Sequence, residues 1–369
     1  MKYIPYGHQH IDTRDVESVR AVLRSDWLTQ GPKVREFESA LAKATGAKYA
    51  VLVTNGTAAL HLAYLAAGIK GGDEVITTPN TWVATTNMLL AVGAIPVFCD
   101  IRPDTYNIDE TKIEALITKR TRAIVPVHFA GNPCAMGKIY ALAKKYKLLV
   151  IEDGAQALGA SYGKKMIGGS GADMVTFSFH PVKSITTGEG GAILTNNKKF
   201  YERLTLLRSH GTTKDKNGFH SMTEFGYNYR MPDINATLGL SQIGRLDEFI
   251  AKRKKIVGWY REVLSDISGI ILPEVTEGAQ SAHHLYVIRV RSAKDRMPLY
   301  HYLQKHDIGT MFHYTPVYSH PYYRKHGYAK VHLSVTDEYQ KTAFSIPLFV
   351  DLTKTDVLRI AKTIKEYFE

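Results

Sequence analysis

Thr176-Phe177-Ser178-Phe179-His180-Pro181-Val182-Lys183-Ser184-Ile185-Thr186-Thr187-Gly188-Glu189-Gly190-Gly191 is the stretch on which the reading of this chain turns. A β-rich apolar run ends in small polar residues; a single lysine follows, then a Thr-Thr pair and a cluster of glycines. A lysine amine shielded from water is a nucleophile that forms a Schiff base with an aldehyde. Ser178 precedes it as a candidate phosphate ligand, and Gly188, Gly190 and Gly191 let the backbone approach a bound group closely. Taken alone, the same residues also describe a surface lysine in a strand-to-strand loop. The choice between the two depends on whether other parts of the chain supply the remaining contacts of a phosphorylated, aldehyde-bearing cofactor.

Around this stretch, short β-rich runs alternate with helical ones from about residue 48 to residue 196. Residues 49–54, 74–78, 95–100, 123–128, 148–152 and 173–179 read as buried strands, and 57–67, 82–92, 108–118 and 136–145 as the helices between them. That alternation predicts an α/β fold with a mostly parallel central sheet covered on both faces, a three-layer sandwich. Ligands of such sheets sit beyond the carboxyl ends of the strands. Residues 241–265 read as one long amphipathic bridging helix, followed by a strand at 284–290, a helix at 298–306 and a closing helix at 354–368. The expected division is a large domain over residues 1–250 and a small α+β domain over 251–369. A helix over residues 13–25 is expected to pack near the small domain or to cross to a partner.

Composition narrows the function classes. With 369 residues and 44% hydrophobic content the chain buries a sizeable core. No leader-like apolar segment and no run of membrane-spanning length is visible, and Cys99 and Cys134 form no CxxC pair, so a reducing cytoplasmic setting is expected. The net charge of +12 raises nucleic-acid binding, but the basic residues are scattered and no nucleic-acid motif accompanies them. A field that attracts phosphorylated cofactors and nucleotide-linked substrates is the milder reading.

Three further segments complete the constellation. Thr54-Asn55-Gly56-Thr57-Ala58-Ala59 follows a strand and opens a helix, where free N–H groups and the Thr57 hydroxyl make a phosphate site; alone, it reads better as a simple Asn-Gly turn with Thr as cap. Trp82 stands just after a strand, placed either to stack on a flat ring or to fill the core. Ile151-Glu152-Asp153-Gly154-Ala155-Gln156 ends a strand in two carboxylates. An aspartate facing a pyridine nitrogen keeps it protonated and makes the ring an electron sink, and Gln156 is placed to bond the ring hydroxyl. Strand alternation turns Glu152 away, so it takes no role. Asp153 also suits a metal, but no histidine or second carboxylate stands at ligand spacing, so no metal is expected.

The order phosphate cup, aromatic, aspartate, Ser-x-x-x-x-Lys is specific in combination. With it, the chain resembles the fold-type I pyridoxal 5′-phosphate (PLP) enzymes and, within them, the DegT-type sugar aminotransferase family. The resemblance runs nearly end to end, through residues 25–32, 178–191, 207–211, 226–231 and 312–318. His180-Pro181-Val182-Lys183-Ser184-Ile185-Thr186-Thr187-Gly188-Glu189-Gly190-Gly191 is similar to the C4-aminotransferases of pseudaminic acid biosynthesis in particular. The resemblance implies that Lys183 carries the Schiff base, that Asp153 binds the pyridinium, Gln156 the 3′-oxygen and Trp82 the ring face, and that Thr57, Ala58 and Ser178 hold the phosphate. It implies a homodimer with shared sites, Asn228 of the Tyr-Asn-Tyr-Arg segment reaching the neighbour's cofactor phosphate with Arg230 beside it. His313, Tyr314 and Tyr318 match a segment that lines the nucleotide-sugar pocket; by themselves they also describe a packed aromatic loop. Glutamate is the implied amino donor and a 4-keto-6-deoxy nucleotide sugar the acceptor. Relatives serve viosamine, perosamine and bacillosamine-type pathways as well. The chain departs from the pseudaminic pattern at Asn55-Gly56-Thr57, Trp82 and Ala155-Gln156, which bears on the sugar and not on the cofactor.

Competing classes meet specific obstacles. Sugar dehydratases of this group carry histidine at the lysine position, where this chain has Lys183. A non-catalytic sensor would lack the lysine, the aspartate or the phosphate cup. A PLP enzyme for small amino acids needs an arginine for a lone α-carboxylate, and none stands out.

Overall fold

The computed structural model describes residues 2–369. Two helices precede the sheet. α1 (Thr13–Leu23) starts at Asp12, whose side chain accepts from the Arg14 N–H while Asp15 reaches back to the Asp12 N–H. α2 (Pro32–Thr45) begins with proline in its first turn, where a missing N–H costs nothing.

The alternating region then unfolds as β1 (Tyr49–Val53), α3 (Gly56–Ala66), β2 (Glu74–Thr77), α4 (Ala84–Ala91), β3 (Ile95–Phe98), β4 (Thr121–Val125), α5 (Met136–Tyr146), β5 (Leu149–Asp153), β6 (Met174–Ser178), β7 (Gly191–Thr195) and α6 (Lys198–Arg208). The seven strands form one sheet in the order β1-β7-β6-β5-β4-β2-β3. β7 alone runs antiparallel, pairing with both β6 and β1, so the sheet is mostly parallel. The strand period of two divides the faces. Val51 and Val53 enter the core under α3 and α6, whereas Ala50 and Leu52 enter the one under α2.

The chain continues through a hairpin, β8 (Thr212–Lys214) and β9 (His220–Met222), then α7 (Asp233–Ile243) and α8 (Leu246–Leu264). A small antiparallel sheet, β10 (Ile270–Ile271), β11 (Tyr286–Val290) and β12 (Ala343–Ile346), packs with α9 (Ala293–Lys305), α10 (Ser334–Thr342) and α11 (Lys354–Phe368). α8 joins the two cores: Leu246 and Phe249 belong to the large one, Ile256, Val257, Tyr260 and Leu264 to the second.

Several expectations need correction. Residues 241–265 are not one helix: the chain breaks between Ile243 and Leu246, with Gly244 at the end of α7. Residues 108–118 hold only a 3₁₀ turn at Glu114–Leu116, because the chain reverses at Tyr106 (φ 60°) and pairs Ile101 with Ile108. α9 begins at Ala293, ahead of the expected residue 298, and carries Pro298 inside it. α1 packs on α7 and the start of α8, where Arg245 pairs with Asp12 (2.6 Å) and with Asp15, and Gln242 and Ser241 also donate to Asp15. Among the described residues no helix is long and apolar enough to cross a membrane.

Candidate active site

The carboxyl ends of β1, β2, β4, β5 and β6 open onto one cavity of about 610 Å³. Its phosphate-like end is built by β1 turning into α3. Asn55 caps the helix, its Oδ1 accepting from the Ala58 N–H at 2.8 Å. Ala58 is thereby buried and its donor is committed, which leaves the first-turn N–H groups of Gly56 and Thr57 and the exposed Thr57 hydroxyl facing the cavity. Ser178, the last residue of β6, closes this end. A Cβ on Gly56 would stand 2.9 Å from the Ser178 Cβ, so only glycine lets the helix start lie against that serine.

Asp153 forms the opposite end. It is 4% exposed, takes the Thr85 hydroxyl on Oδ2 (2.7 Å) and the Ala155 N–H on Oδ1 (3.1 Å). Its neighbour Glu152 turns to the other face of the sheet, where it accepts from His128 Nε2 (3.1 Å), the Tyr140 hydroxyl and Ser170. The Cys134 N–H donates to His128 Nδ1 (3.1 Å), so the imidazole proton is on Nε2. That buried carboxylate is fully engaged away from the cavity.

Lys183, in the turn after β6, lines the same cavity. Burial pushes its amine down to about 8, opposed by the negative charge of Asp153. The lowered value gives a substantial neutral, nucleophilic fraction near physiological pH. Trp82 is 62% exposed and borders the cavity, its ring centroid 6.2 Å from that of Tyr314. Gln156 is held from two sides: Oε1 accepts from the Ala130 N–H (2.7 Å) and Nε2 donates to the Tyr314 hydroxyl (2.9 Å). One amide hydrogen is left for a ligand oxygen. His313 also lines the cavity, with Nδ1 2.8 Å from Ser345 Oγ. Burial, reinforced by the charge of Lys183, pushes it down to about 3, so it is neutral at pH 7.

The structure thus brings Thr57, Trp82, Asp153, Gln156, Ser178, Lys183, His313 and Tyr314 to one cavity. Four expected residues stand elsewhere. Ala58 is corrected from the phosphate contacts: it is buried, borders no part of the cavity, and its N–H is taken by Asn55 Oδ1. Tyr318 is corrected from the pocket to a satellite core, its ring 5.9 Å from Phe98 and its hydroxyl donating to Asp337 (2.5 Å). Asn228 and Arg230 border no part of this chain's own cavity; their backbones bridge to Ser209 and Val53. Sequence reasoning missed Tyr6, Thr81, Thr85 and His284 in the wall. A signal existed for the threonines, two hydroxyls spaced i, i+4 at the start of a buried helix. None existed for Tyr6, which arrives because the N-terminal segment pairs with Ile308 and Leu348 of the second core.

Residues 9–365 match the family model described as the DegT/DnrJ/EryC1/StrS aminotransferase family. The chain is similar to the spore coat polysaccharide biosynthesis protein SpsC of Bacillus subtilis (39% identity, spanning 99% of this chain and 97% of SpsC). Among solved structures it is similar to Helicobacter pylori PseC, described as an aminotransferase of pseudoaminic acid biosynthesis (TM-score 0.95, 33% identity, 100% and 99% of the two chains). It is equally similar in fold to the putative sugar aminotransferase Spr1654 of Streptococcus pneumoniae, in its PLP-form (TM-score 0.94, 30% identity, 99% and 98%).

Proposed function

Since the chain belongs to the DegT/DnrJ/EryC1/StrS aminotransferase family, whose members depend on PLP, we propose that it transfers an amino group from glutamate to C4 of a 4-keto-6-deoxy nucleotide sugar. The sugar is UDP-linked and 2-acetamido, and the product is an amino sugar of surface glycans of the pseudaminic acid type. The observation that carries this reading is Lys183, an amine with a pKa lowered to about 8 that shares one cavity with the carboxylate of Asp153.

The donor set suits PLP. The Gly56–Ser178 contact leaves a cradle that a Cβ would fill, and Thr57 and Ser178 supply hydroxyls and a helix N-terminus for a phosphate. Asp153 is the counter-charge for a protonated ring nitrogen, Trp82 offers a ring face, and the free amide hydrogen of Gln156 suits the ring oxygen. PLP, when bound, supplies an aldehyde for amine exchange and an electron sink for the carbon that loses its proton. Lys183 Nζ would hold the cofactor between turnovers. With its amine free, it would take the proton from the glutamate α-carbon and pass it to the bound cofactor, and in the second half-reaction would take one back and deliver it to C4 of the sugar. Glutamate leaves as 2-oxoglutarate. Neutral His313 and the Tyr314 hydroxyl are placed to meet sugar hydroxyls without adding charge, and the net charge of +12 draws in the diphosphate.

Shared sites in a homodimer are part of this reading. Asn228 and Arg230 have no role at the cavity of their own chain, and the hairpin preceding them exposes Phe219 (71%), Met222 (62%) and Phe225 (69%). An apolar surface of this kind fits a second copy. The thiols of Cys99 and Cys134, buried and unbridged, support a reducing compartment.

The test is spectroscopic, then synthetic. PLP-loaded protein should absorb at ~410–420 nm and shift to ~330 nm on adding glutamate. Product mass should then rise only with 4-keto-6-deoxy sugars among UDP- and dTDP-linked candidates. A spectrum unmoved by glutamate but moved by another amino acid would replace the donor, and amination of a 3-keto sugar would replace the position.

A further inference from the structure

A chain of hydroxyls ends on the carboxylate that faces the cavity. Thr85 lies in the first turn of α4, 1% exposed, and its Oγ1 donates to Asp153 Oδ2 at 2.7 Å. Thr81, 2% exposed, places its Oγ1 2.8 Å from Thr85 Oγ1. An ionised carboxylate only accepts, so the single Thr85 proton goes to Asp153 and Thr81 is the donor to Thr85. The main-chain oxygen of Thr85 is held in turn by the Tyr64 hydroxyl, 2.9 Å away. Asp153 Oδ1 takes the Ala155 N–H. Each carboxylate oxygen therefore has one fixed donor, and the carboxylate plane is set before any ligand arrives. Asp153 lines the cavity with acceptor capacity to spare.

We propose that Thr85 is a positioning residue of the aminotransferase: oriented by Thr81, its hydroxyl holds the Asp153 carboxylate in the plane that meets the ring nitrogen of PLP. This rests on the reading of Asp153 as partner of that nitrogen. Two physical effects act together. Without the Thr85 donor the carboxylate turns about its Cβ–Cγ bond and loses its alignment. A buried carboxylate that loses a hydrogen bond also becomes more basic and competes with the ring for the proton. Trp82, which also borders the cavity, lies one turn before Thr85 and accepts the Thr85 N–H at its main-chain oxygen (3.2 Å). The start of α4 thus sets both the ring's stacking partner and its counter-charge.

The experiment compares wild type, Thr85→Val, Thr85→Ser and Thr81→Val, each reconstituted with PLP labelled with ¹⁵N in the ring. Wild type should show a protonated ring nitrogen. Thr85→Val should move that signal toward the unprotonated position and raise the PLP dissociation constant about tenfold, as loss of one charge-assisted hydrogen bond implies. Thr85→Ser should restore both, and Thr81→Val should shift both in the same direction by less. Melting of the cofactor-free variants checks folding, and Thr81→Val decides the matter if Thr85→Val does not fold. A protonated signal and an unchanged affinity in the valine variants would overturn the positioning role while leaving the PLP site standing. A wild type that binds no PLP would overturn the active-site reading itself, and this inference with it.

Discussion

Lys183 is a residue whose chemistry is altered by its place. Its amine is half neutral near pH 8 rather than near the ordinary 10.5, because burial penalises the charged form more than Asp153 favours it. Attachment of added PLP to the cofactor-free protein should therefore accelerate with pH along a curve centred near 8, measured by stopped-flow absorbance; a curve still rising toward 10 would contradict the burial argument. The same shift acts on stability. The folded chain holds the lysine proton less tightly than the unfolded chain, so this residue disfavours folding below about pH 8, and the penalty fades as pH rises to the unfolded value. Lys183→Met should remove that slope from urea-unfolding data collected between those limits.

At the scale of elements, two contacts set how the helices pack on one another. Arg245, buried at the start of α8, reaches Asp12 and Asp15 of the α1 region. Burial alone would raise the Asp15 carboxyl, but the hydrogen bonds from Arg245, Ser241 and Gln242 outweigh it and hold it below the usual carboxylate range. Its contribution is present above that range and is lost as pH falls through the lowered value. Arg245→Met leaves Asp15 buried without its cation and should cost about 3 kcal/mol in urea unfolding. Gly239 in α7 shows the opposite kind of constraint. A Cβ there would run into the Phe37 ring of α2 and crowd Thr187, closer than carbon atoms allow. Alanine would add about 1 kcal/mol of helix propensity, but overpacking at a buried contact costs ~1–3 kcal/mol. Gly239→Ala should therefore lower the melting temperature, and a stabilised variant would show that α2 and α7 have room to separate.

For the whole molecule, the question is how many chains make one site. Asn228 lies on the strand-like segment after the exposed hairpin and does not line the cavity that holds Lys183 of its own chain. Asn228→Ala and Lys183→Ala should each be inactive alone. Mixed under conditions that exchange subunits, they should recover about a quarter of wild-type sites, because half the dimers are mixed and one of the two sites in each is intact. No recovery in verified heterodimers would place Asn228 in a structural role.

Much of this was readable without coordinates because the relevant physics is local. A strand followed by Asn-Gly-Thr and a helix makes an N-terminus with free donors wherever it lies. Alternation along β5 separates Asp153 from Glu152, and a lysine after Ser178 among glycines marks a candidate for covalent attachment. The closing helix at 354–368 was likewise legible, its apolar residues one face of a 3.6-residue period and Thr353 its cap. Other features arise from distant parts meeting. The antiparallel insertion of β7, the break at Gly244, the arrival of Tyr6 beside the cavity and the departure of Tyr318 into the Phe98 core depend on which strands pair and which surfaces remain to be covered. The hydroxyl chain from Thr81 to Asp153 has the same origin, since it joins residues 68 or more positions apart. The sequence by itself determined the strand-end carboxylate, the helix-end donors and the lysine in the turn after Ser178, because each follows from near neighbours. Only the tertiary structure decided which of them share a cavity and which side chains hold them in register, because strand order and packing bring together residues whose sequence separation carries no signal.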